Sequence, residues 1–438
     1  MSQGTKFPAI MKKMAAQTCV CAADFISAFR QLFCTEKGFY MGAVLLSPVY
    51  VLLNLYLIGR MLLWFRTLHS FLGGPLFVVP FLICYILLSL SPIFAAFTRG
   101  KLKIRSKQIS NYWLGILLYL LIFLLLADLG RILLYLSQGR SVLDPFDPDV
   151  YRITGGAVFG VTAILSALGI RNAFRIRKTV YEVTIHKACT TPSLRIALAA
   201  DLHLGYSVGL RHVQKMRRII DGIKPDLVLF AGDLFDNEYA AIQNPEKIAA
   251  VLRGIQSTCG SYACWGNHDI EELILAGFTF DSGKTPAAGD HNMKQFLKKA
   301  GIRLLADETI LLENGCYLTG RLDASCLKKS GIRRCSPDEL LRGLGPSHPL
   351  LVIDHQPSRL PDLAAAGADL VLSGHTHDGQ LFPGNLTTRI GWMNSYGKLA
   401  IGKMTSIVTS GVGFWGPAMR IGTHNEVVEI RVTFDGDA

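Results

Sequence analysis

No disulfide scaffold, no cleavable leader and no aromatic-studded basic tract can be read in this chain of 438 residues. Its ten cysteines are scattered, several in apolar surroundings, and the one close pair, Cys19 and Cys21, has no second pair nearby to complete a thiolate knuckle. Free thiols in a reducing compartment are the simplest account. The first 40 residues hold Lys6, Lys12 and Lys13 but only a broken apolar stretch, with room for a short interfacial helix around 25–33. The basic runs KLKIRSK and RNAFRIRK hug apolar segments instead of alternating with stacking aromatics, so the formal charge of +12 points to anionic headgroups. No nucleic-acid partner is expected, and no feature identifies a protein partner.

Half of the residues are hydrophobic, and nearly all the long apolar runs fall before residue 175. Four segments, at 42–59, 71–97, 113–127 and 153–170, read as membrane helices, since a helix needs roughly 20 apolar residues to cross the hydrocarbon. The first two meet that length easily, the second despite internal prolines. The third needs its flanking turn, and the fourth is marginal and rich in glycine. The sequence therefore predicts an N-terminal segment (1–40), an all-α membrane domain of about four transmembrane helices (41–172), a linker (173–192) and a soluble domain (193–438). Short-loop charge sets the orientation. Arg99, Lys101, Lys103, Arg105 and Lys107 follow the second segment, Asp144, Asp147 and Asp149 the third, and Arg171, Arg175, Arg177 and Lys178 the fourth. That alternation predicts a multi-pass protein of the cell membrane with its long C-terminal half on the cytoplasmic side; a fourth segment that failed to cross would put that half outside. Asp128 and Arg131, three apart at a membrane edge, are expected to pair structurally.

From Leu194 the texture changes. LRIALAADLHLG reads as a buried strand ending in Asp201 and His203. DLVLFAGDLFDN ends in Gly232 and Asp233, CGSYACWGNHD in Asn267, His268 and Asp269, LLVIDHQPS in His355, and ADLVLSGHTHDG in His375 and His377. A single aspartate after a strand is as a rule a turn residue. Five strands that each stop and at once present Asp, His or Asn are poorly explained by five separate turns, and ligands gather at strand ends, where rigid elements hold them. These residue types suit a pair of metals: a carboxylate can bridge two divalent ions, and imidazole suits Mn, Zn, Fe or Ni better than Mg or Ca. Cys264 is the one cysteine within these motifs and lies inside a strand, which disfavours a structural thiolate zinc site. Two ions about 3.5–4 Å apart can activate a water and neutralise phosphoryl oxygens, the charge neutralisation that slow phosphate-ester hydrolysis needs.

The ordered series DLH, GDLFD, GNHD, DH and GHTH resembles the motif set of the calcineurin-like metallophosphoesterases, from about residue 193 to the C-terminus. GHTHDGQLFPG and GRLD look most like the membrane-attached, YkuE-like branch of that family. The resemblance implies an α/β fold, a two-sheet β sandwich flanked by helices. It implies that Asp201, His203 and His377 ligate one divalent metal, that Asn267, His355 and His375 ligate a second, and that Asp233 bridges them; Mn2+ is favoured, with Zn2+, Fe2+ or Mg2+ as alternatives. His268 is expected to face the leaving group or the phosphate oxygens, with Asp269 orienting it. The branch usually has glycine after the last histidine, where this chain has Asp378, a carboxylate expected at the rim of the site. Arg321 and Asp323 are candidates to organise the site from a neighbouring strand, and Arg211 and His212 to reach a phosphate. Lys328, Lys329, Arg333 and Arg334 are candidates to meet an anionic head group, although a linker running into a capped helix at SPDE accounts for that stretch slightly better. The glycine-rich stretch 278–290 is expected as a loop near the site entrance.

These expectations describe a membrane-bound, dinuclear-metal phosphohydrolase. A bilayer-embedded half beside a phosphoryl-cleaving site favours a phosphoester or pyrophosphate carried on a lipid, and the family includes UDP-diacylglucosamine pyrophosphatases. The alternative is a phosphodiesterase or phosphatase for a soluble nucleotide, with the helices as an anchor. A noncatalytic membrane sensor is expected to have lost a ligand position, and all seven are filled.

Overall fold

The computed structural model describes residues 36–138, 147–269, 273–275, 278–280, 291–324, 333–345 and 347–436. Among the described residues, the N-terminal half contains five α-helices: α1 (Glu36–Leu68), α2 (Pro75–Ser89), α3 (Ser91–Phe97), α4 (Gly100–Gln138) and α5 (Pro148–Ala173). Their outward faces expose large apolar side chains such as Leu52, Leu76, Phe97 and Ile153, the arrangement of helices solvated by lipid and not by water. Among the described residues, three stretches, Ser47–Leu68, Gly100–Leu133 and Pro148–Ala173, are long and apolar enough to cross a membrane. The glycine-rich fourth segment is therefore a full-length helix, extended by a first turn that Asp147 caps by accepting from Asp149 N. The second segment departs from expectation. It breaks at Leu90 into α2 and α3, because Pro92 has no N–H to give to the Leu88 carbonyl and its ring crowds that oxygen. The 15 residues of α2 fall short of a crossing length.

Polar contacts hold these helices in register. The Tyr50 hydroxyl donates to Ser89 O (2.7 Å) and accepts from Trp113 Nε1 (2.9 Å). Asp128 meets Arg131 as expected, and also Arg60 and Tyr56, so the pair belongs to a larger structural cluster.

Residues 176–185, expected within a linker, form β1 (Ile176–Ile185), the first strand of the C-terminal half. The remaining strands are β2 (Ser193–Ala199), β3 (Leu227–Ala231), β4 (Ser261–Cys264), β5 (Leu273–Leu275), β6 (Phe278–Phe280), β7 (Arg303–Leu304), β8 (Glu308–Leu311), β9 (Tyr317–Gly320), β10 (Leu350–Ile353), β11 (Leu370–Ser373), β12 (Gly397–Ile401), β13 (Met404–Val408) and β14 (Asn425–Phe434). One six-stranded sheet has the order β1-β14-β2-β3-β4-β7, a second β12-β13-β11-β10-β9-β8, and β5 and β6 pair alone. β1 runs parallel to β14 over its whole length, from Ile176 opposite Asn425 to Ile185 opposite Phe434, so α5 feeds directly into the first sheet. β2, β3 and β4 are parallel neighbours, as are β9, β10, β11 and β13.

Apolar side chains including Ile196, Leu198, Leu229, Ile353, Leu372 and Ile430 fill the space between the sheets. On the outer face of the first sheet, α6 (Leu210–Ile223), α7 (Pro245–Arg253) and α8 (His291–Ala300) bury Met216, Ile248 and Phe296. On the second, α9 (Pro337–Leu341) and α10 (Leu360–Ala365) bury Leu341 and Leu363. The expected sandwich flanked by helices is the fold. Strands covered on both faces read as unbroken apolar runs, which is why each stops so visibly at its polar motif.

Candidate metal centre

The five motifs follow β2, β3, β4, β10 and β11 and meet where those strands end. Their turns have unusual backbones: Asp201 (φ 53°), His203 (48°), Asp233 (51°), His375 (73°) and His377 (51°) are all left-handed. Non-glycine residues rarely adopt that region, and such strain clusters where the surrounding fold overrides local preference. Asp201 N donates to Gly232 O and His203 N to Asp233 O, both at 3.0 Å, which ties the first two loops together. A Cβ on Gly266 would lie 2.1 Å from Asp233 Oδ1, and one on Gly374 2.4 Å from Asp201 Oδ2. Glycine therefore precedes the NHD and HTH triplets because the backbone there runs against the carboxylates.

Two donor groups result. Asp201, His203 and His377 form one, with one atom from each within 4.8 Å of the others; His203 Nε2 and His377 Nε2 are 3.0 Å apart, and Asp201 Oδ1 is 3.6 Å from His377 Nε2. Asp233, His355 and His375 form the second, joined by Asn267 Oδ1 at 3.0 Å from His355 Nε2 and 2.7 Å from His375 Nδ1. Asp233 Oδ2 stands between the two, 3.1 Å from His355 Nε2 and 3.8 Å from His203 Nε2. His355 Nδ1 donates to Ala231 O at 2.8 Å, which turns Nε2 inward. His375 N donates to the Asp201 carboxylate at 2.9 and 3.1 Å.

Burial pushes His203 and His375 down to about 3 and His377 well below the imidazole range, so these three rings are neutral at physiological pH. For His355, burial disfavours the charge but the adjoining Asp233 carboxylate outweighs it and raises the ring's pKa. Burial also opposes the Asp233 charge, and His355 and His268 outweigh that, holding its carboxyl well below the usual range. Asp201 is raised to about 7 by burial, with His355 working against the rise. Opposed neutral imidazoles, carboxylate and amide oxygens and the absence of thiolate from these groups make a nitrogen–oxygen donor set for borderline divalent cations. A cation would satisfy the opposed His203 Nε2 and His377 Nε2 together, where a single shared proton serves them less well. The residues fit a pair of divalent ions.

His268 sits beside both groups without joining either in this way. Its N–H donates to Asp233 Oδ1 (2.8 Å), its Nδ1 faces Asn237 Oδ1, and its ring centre is 5.1 Å from that of His203 and 5.5 Å from that of Trp415. Asp269 does not orient this ring. Its fully buried carboxylate accepts from Phe235 N and Gly266 N, both at 2.8 Å, because the next residue of the turn points into the fold. Asn237 takes the orienting contact instead. Burial, then the Asp233 charge, raises Asp269 to about 8. Asp236, within the quoted GDLFD but given no role, completes a third close group with His203 and His268; its Oδ1 is 3.9 Å from His203 Nδ1, and neither atom has a hydrogen bond.

Arg420, in the stretch FWGPAMRIG, lies outside the five strand-end motifs and is not among the candidate residues. It is fully buried. Its guanidinium donates to His377 O (2.9 Å), Ser410 O (2.7 Å) and Gly413 O (2.7 Å) and lies 3.1 Å from His377 Nδ1. Its backbone N–H donates to Gly169 O of α5 at 2.9 Å. A helix long and apolar enough to cross a membrane, a buried arginine and a histidine of the first donor group are thus in direct succession. Burial lowers Arg420 to about 10, with Asp201 and Glu426 opposing the fall.

Other expectations shift. Asp378 is not a rim carboxylate: it is 6% exposed, left-handed (φ 48°) and has an unpartnered Oδ1, and aspartate is among the few residues that tolerate the conformation glycine adopts freely. Arg321 and Arg334 both pair with buried Asp354 at 2.6 Å, and Gln356 donates to Asp323 at 3.0 Å, bracing the strand end that carries His355. Arg333 pairs with Glu339, and Ser336 forms a capping box with Glu339. His212 is buried, its Nε2 donating to Val412 O at 2.8 Å; Arg211 is exposed. Lys328, Lys329 and the loop residues 281–290 lie outside the described residues.

Comparison with known proteins agrees with this geometry. The calcineurin-like phosphoesterase family matches residues 194–379. A Danio rerio protein named "Transmembrane protein with metallophosphoesterase domain" is 30% identical over 333 residues, which span 72% of this chain and 71% of that protein. An "Uncharacterized metallophosphoesterase" of Aquifex aeolicus is 28% identical over 281 residues, 63% of this chain and 99% of the relative. A Chlamydia trachomatis protein named "UDP-2,3-diacylglucosamine pyrophosphatase LpxG" is 23% identical over 220 residues, 43% of this chain and 64% of the relative.

Proposed function

This chain belongs to the calcineurin-like metallophosphoesterases and is a membrane-held, metal-dependent phosphohydrolase; from that premise we propose that it cleaves a phosphoester or pyrophosphate bond of a lipid-linked substrate at the cytoplasmic face of the cell membrane. The observation that carries the lipid reading is the contact series from Gly169 in a membrane helix through Arg420 to His377. A site so close to a bilayer helix suits a substrate that stays in the bilayer. The Chlamydia relative's name supplies a precedent in a lipid-linked sugar nucleotide, and the basic residues that follow α5 support the cytoplasmic orientation.

Two divalent ions, Mn2+ favoured, supply when bound a nucleophilic hydroxide at neutral pH and positive charge for the phosphoryl oxygens. Asp201, His203 and His377 would hold one ion and Asn267, His355 and His375 the other, with Asp233, whose carboxylate lies between the two groups, serving both. His268, fixed through Nδ1 by Asn237, directs its other nitrogen at the substrate and stabilises the departing oxygen with a hydrogen bond. Asp269 and Arg420 act at one remove, by fixing the GNHD and GHTH backbones.

The test is a hydrolysis screen of the full-length protein with Mn2+, Zn2+ and Mg2+, setting lipid phosphates and lipid pyrophosphates beside soluble nucleotides. Turnover of a lipid-linked substrate at least tenfold above any soluble one is expected. Turnover of soluble nucleotides alone sinks the lipid reading and leaves the helices as an anchor.

A further inference from the structure

A groove of about 650 Å3 opens where α5 hands over to β1 and meets α6. Its charged lining has one sign: Arg171, Arg175, Lys215 and Arg218. Phe174, Ile176 and Ile219 supply an apolar floor. None of the four cations pairs with a carboxylate among the described residues. Lys215 Nζ donates to Phe174 O at 2.9 Å and Arg218 Nε to Gln214 O at 3.3 Å, which fixes the two stems. On α6 the lining positions 215, 218 and 219 share one helical face, apart from Val213, Met216 and Ile220, which are buried in the core.

The depth of the groove follows from the helix. Arg171 comes directly after Ile170, the last residue of the apolar run. At a rise of about 1.5 Å per residue, Arg171 stands within about 2 Å of the end of that apolar run, and Arg175 follows just past the helix end at Ala173, which places both near the layer where phosphodiesters lie. α6 lines the same groove, so the catalytic half itself reaches headgroup depth. A basic surface that serves solubility has no need of an apolar floor.

We propose that this groove binds the headgroup of an anionic phospholipid, its phosphodiester held by Arg171, Arg175 and Arg218 and its glycerol lying against Phe174, Ile176 and Ile219. Guanidinium forks match phosphate oxygens two at a time, and basic pockets beside membrane helices are suited to lipid headgroups. The site shares no residue with the donor groups, and the inference does not depend on the hydrolytic reading.

The experiment places the full-length protein in nanodiscs of phosphatidylcholine with or without one-fifth phosphatidylglycerol and counts retained lipids by native mass spectrometry. Wild type is expected to retain phosphatidylglycerol in preference to phosphatidylcholine. The double variant Arg175→Gln with Arg218→Gln loses that preference by about 30-fold, on the order of fivefold for each cation, while Lys294→Gln with Lys298→Gln, which removes the same charge from exposed positions of α8, leaves it unchanged. Both doubles alter exposed side chains, and a melting curve for each verifies folding. Equal retention of the two lipids by wild type overturns the proposal, as does undiminished preference in the Arg175/Arg218 double. Displacement of the phosphatidylglycerol by millimolar inorganic phosphate also overturns it, by marking a site for free anions.

Discussion

Replacing Arg420 with methionine keeps most of the side-chain volume and removes every polar contact its guanidinium makes. Three buried carbonyls, of His377, Ser410 and Gly413, lose a charged donor. Hydrogen bonds to charged groups contribute about 1.5–3 kcal/mol each, and the lost cation also faces Asp201 and Glu426, whose buried charge is then less compensated. Relief of the guanidinium's own desolvation works the other way. The net loss is on the order of 3–5 kcal/mol, the range for breaking a buried charged network by removing one partner, and a large share of the roughly 5–15 kcal/mol that holds a typical domain folded. Because two of the contacts are to His377, metal affinity falls as well, by about 10–100-fold, as it does when residues that orient ligands are removed. Arg420→Lys retains the charge without the planar fork and is expected to fall between. Chemical denaturation of the full-length protein, paired with chelator competition for bound Mn2+, reads both quantities. Wild-type metal affinity together with a wild-type unfolding midpoint in Arg420→Met refutes the reasoning.

Three further outcomes are expected. Asp233→Ala abolishes activity and lowers metal content, whereas His268→Ala keeps metal content near wild type and slows turnover by about 10²–10⁴-fold; equal metal loss in the two variants makes His268 a ligand. A Cβ at Gly169 would come within 2.8 Å of Ile421 Cγ1, while Gly160 faces open space, so Gly169→Val weakens metal binding through the Arg420 segment and Gly160→Val does not; equal metal affinity in the two variants breaks that link. Burial, partly opposed by the bond to Val412, lowers His212 to about 4, below about 6.5 in the unfolded chain. The unfolded chain then takes up a proton that the folded one refuses, and this contribution, about 3 kcal/mol, is fully present above pH 6.5 and lost as pH falls to 4. His212→Gln flattens that part of the stability profile, and an unchanged slope in urea melts speaks against the assignment.

The strand-end motifs were legible because two constraints coincide in them. Strands covered on both faces must be apolar throughout, and a metal pair accepts few residue types, so DLH, GD, GNHD, H and GHTH stand out against their surroundings. What escaped depends on directions and distant partners. Arg420 satisfies carbonyls at 377, 410 and 413, a convergence that no local pattern encodes. The role expected of Asp269 failed because a turn alternates inward and outward side chains, and sequence order does not say which one faces the metals. Asp378 is buried where its charge suggested exposure, since a left-handed turn faces it inward. The stretch before β2 resembled a linker because its partner, β14, lies at the far end of the chain. In the membrane half, hydropathy located the apolar segments but could not weigh Pro92, whose missing N–H breaks the second.

The central claim is that the two donor groups hold two ions. Elemental analysis of the full-length protein after Mn2+ loading, compared with Asp233→Ala prepared in the same way, tests it most directly. The account predicts about two ions per chain in the wild type and a clear loss in the variant. No retained metal after loading with Mn2+, Zn2+ or Fe2+, or a stoichiometry unaffected by Asp233→Ala, contradicts it.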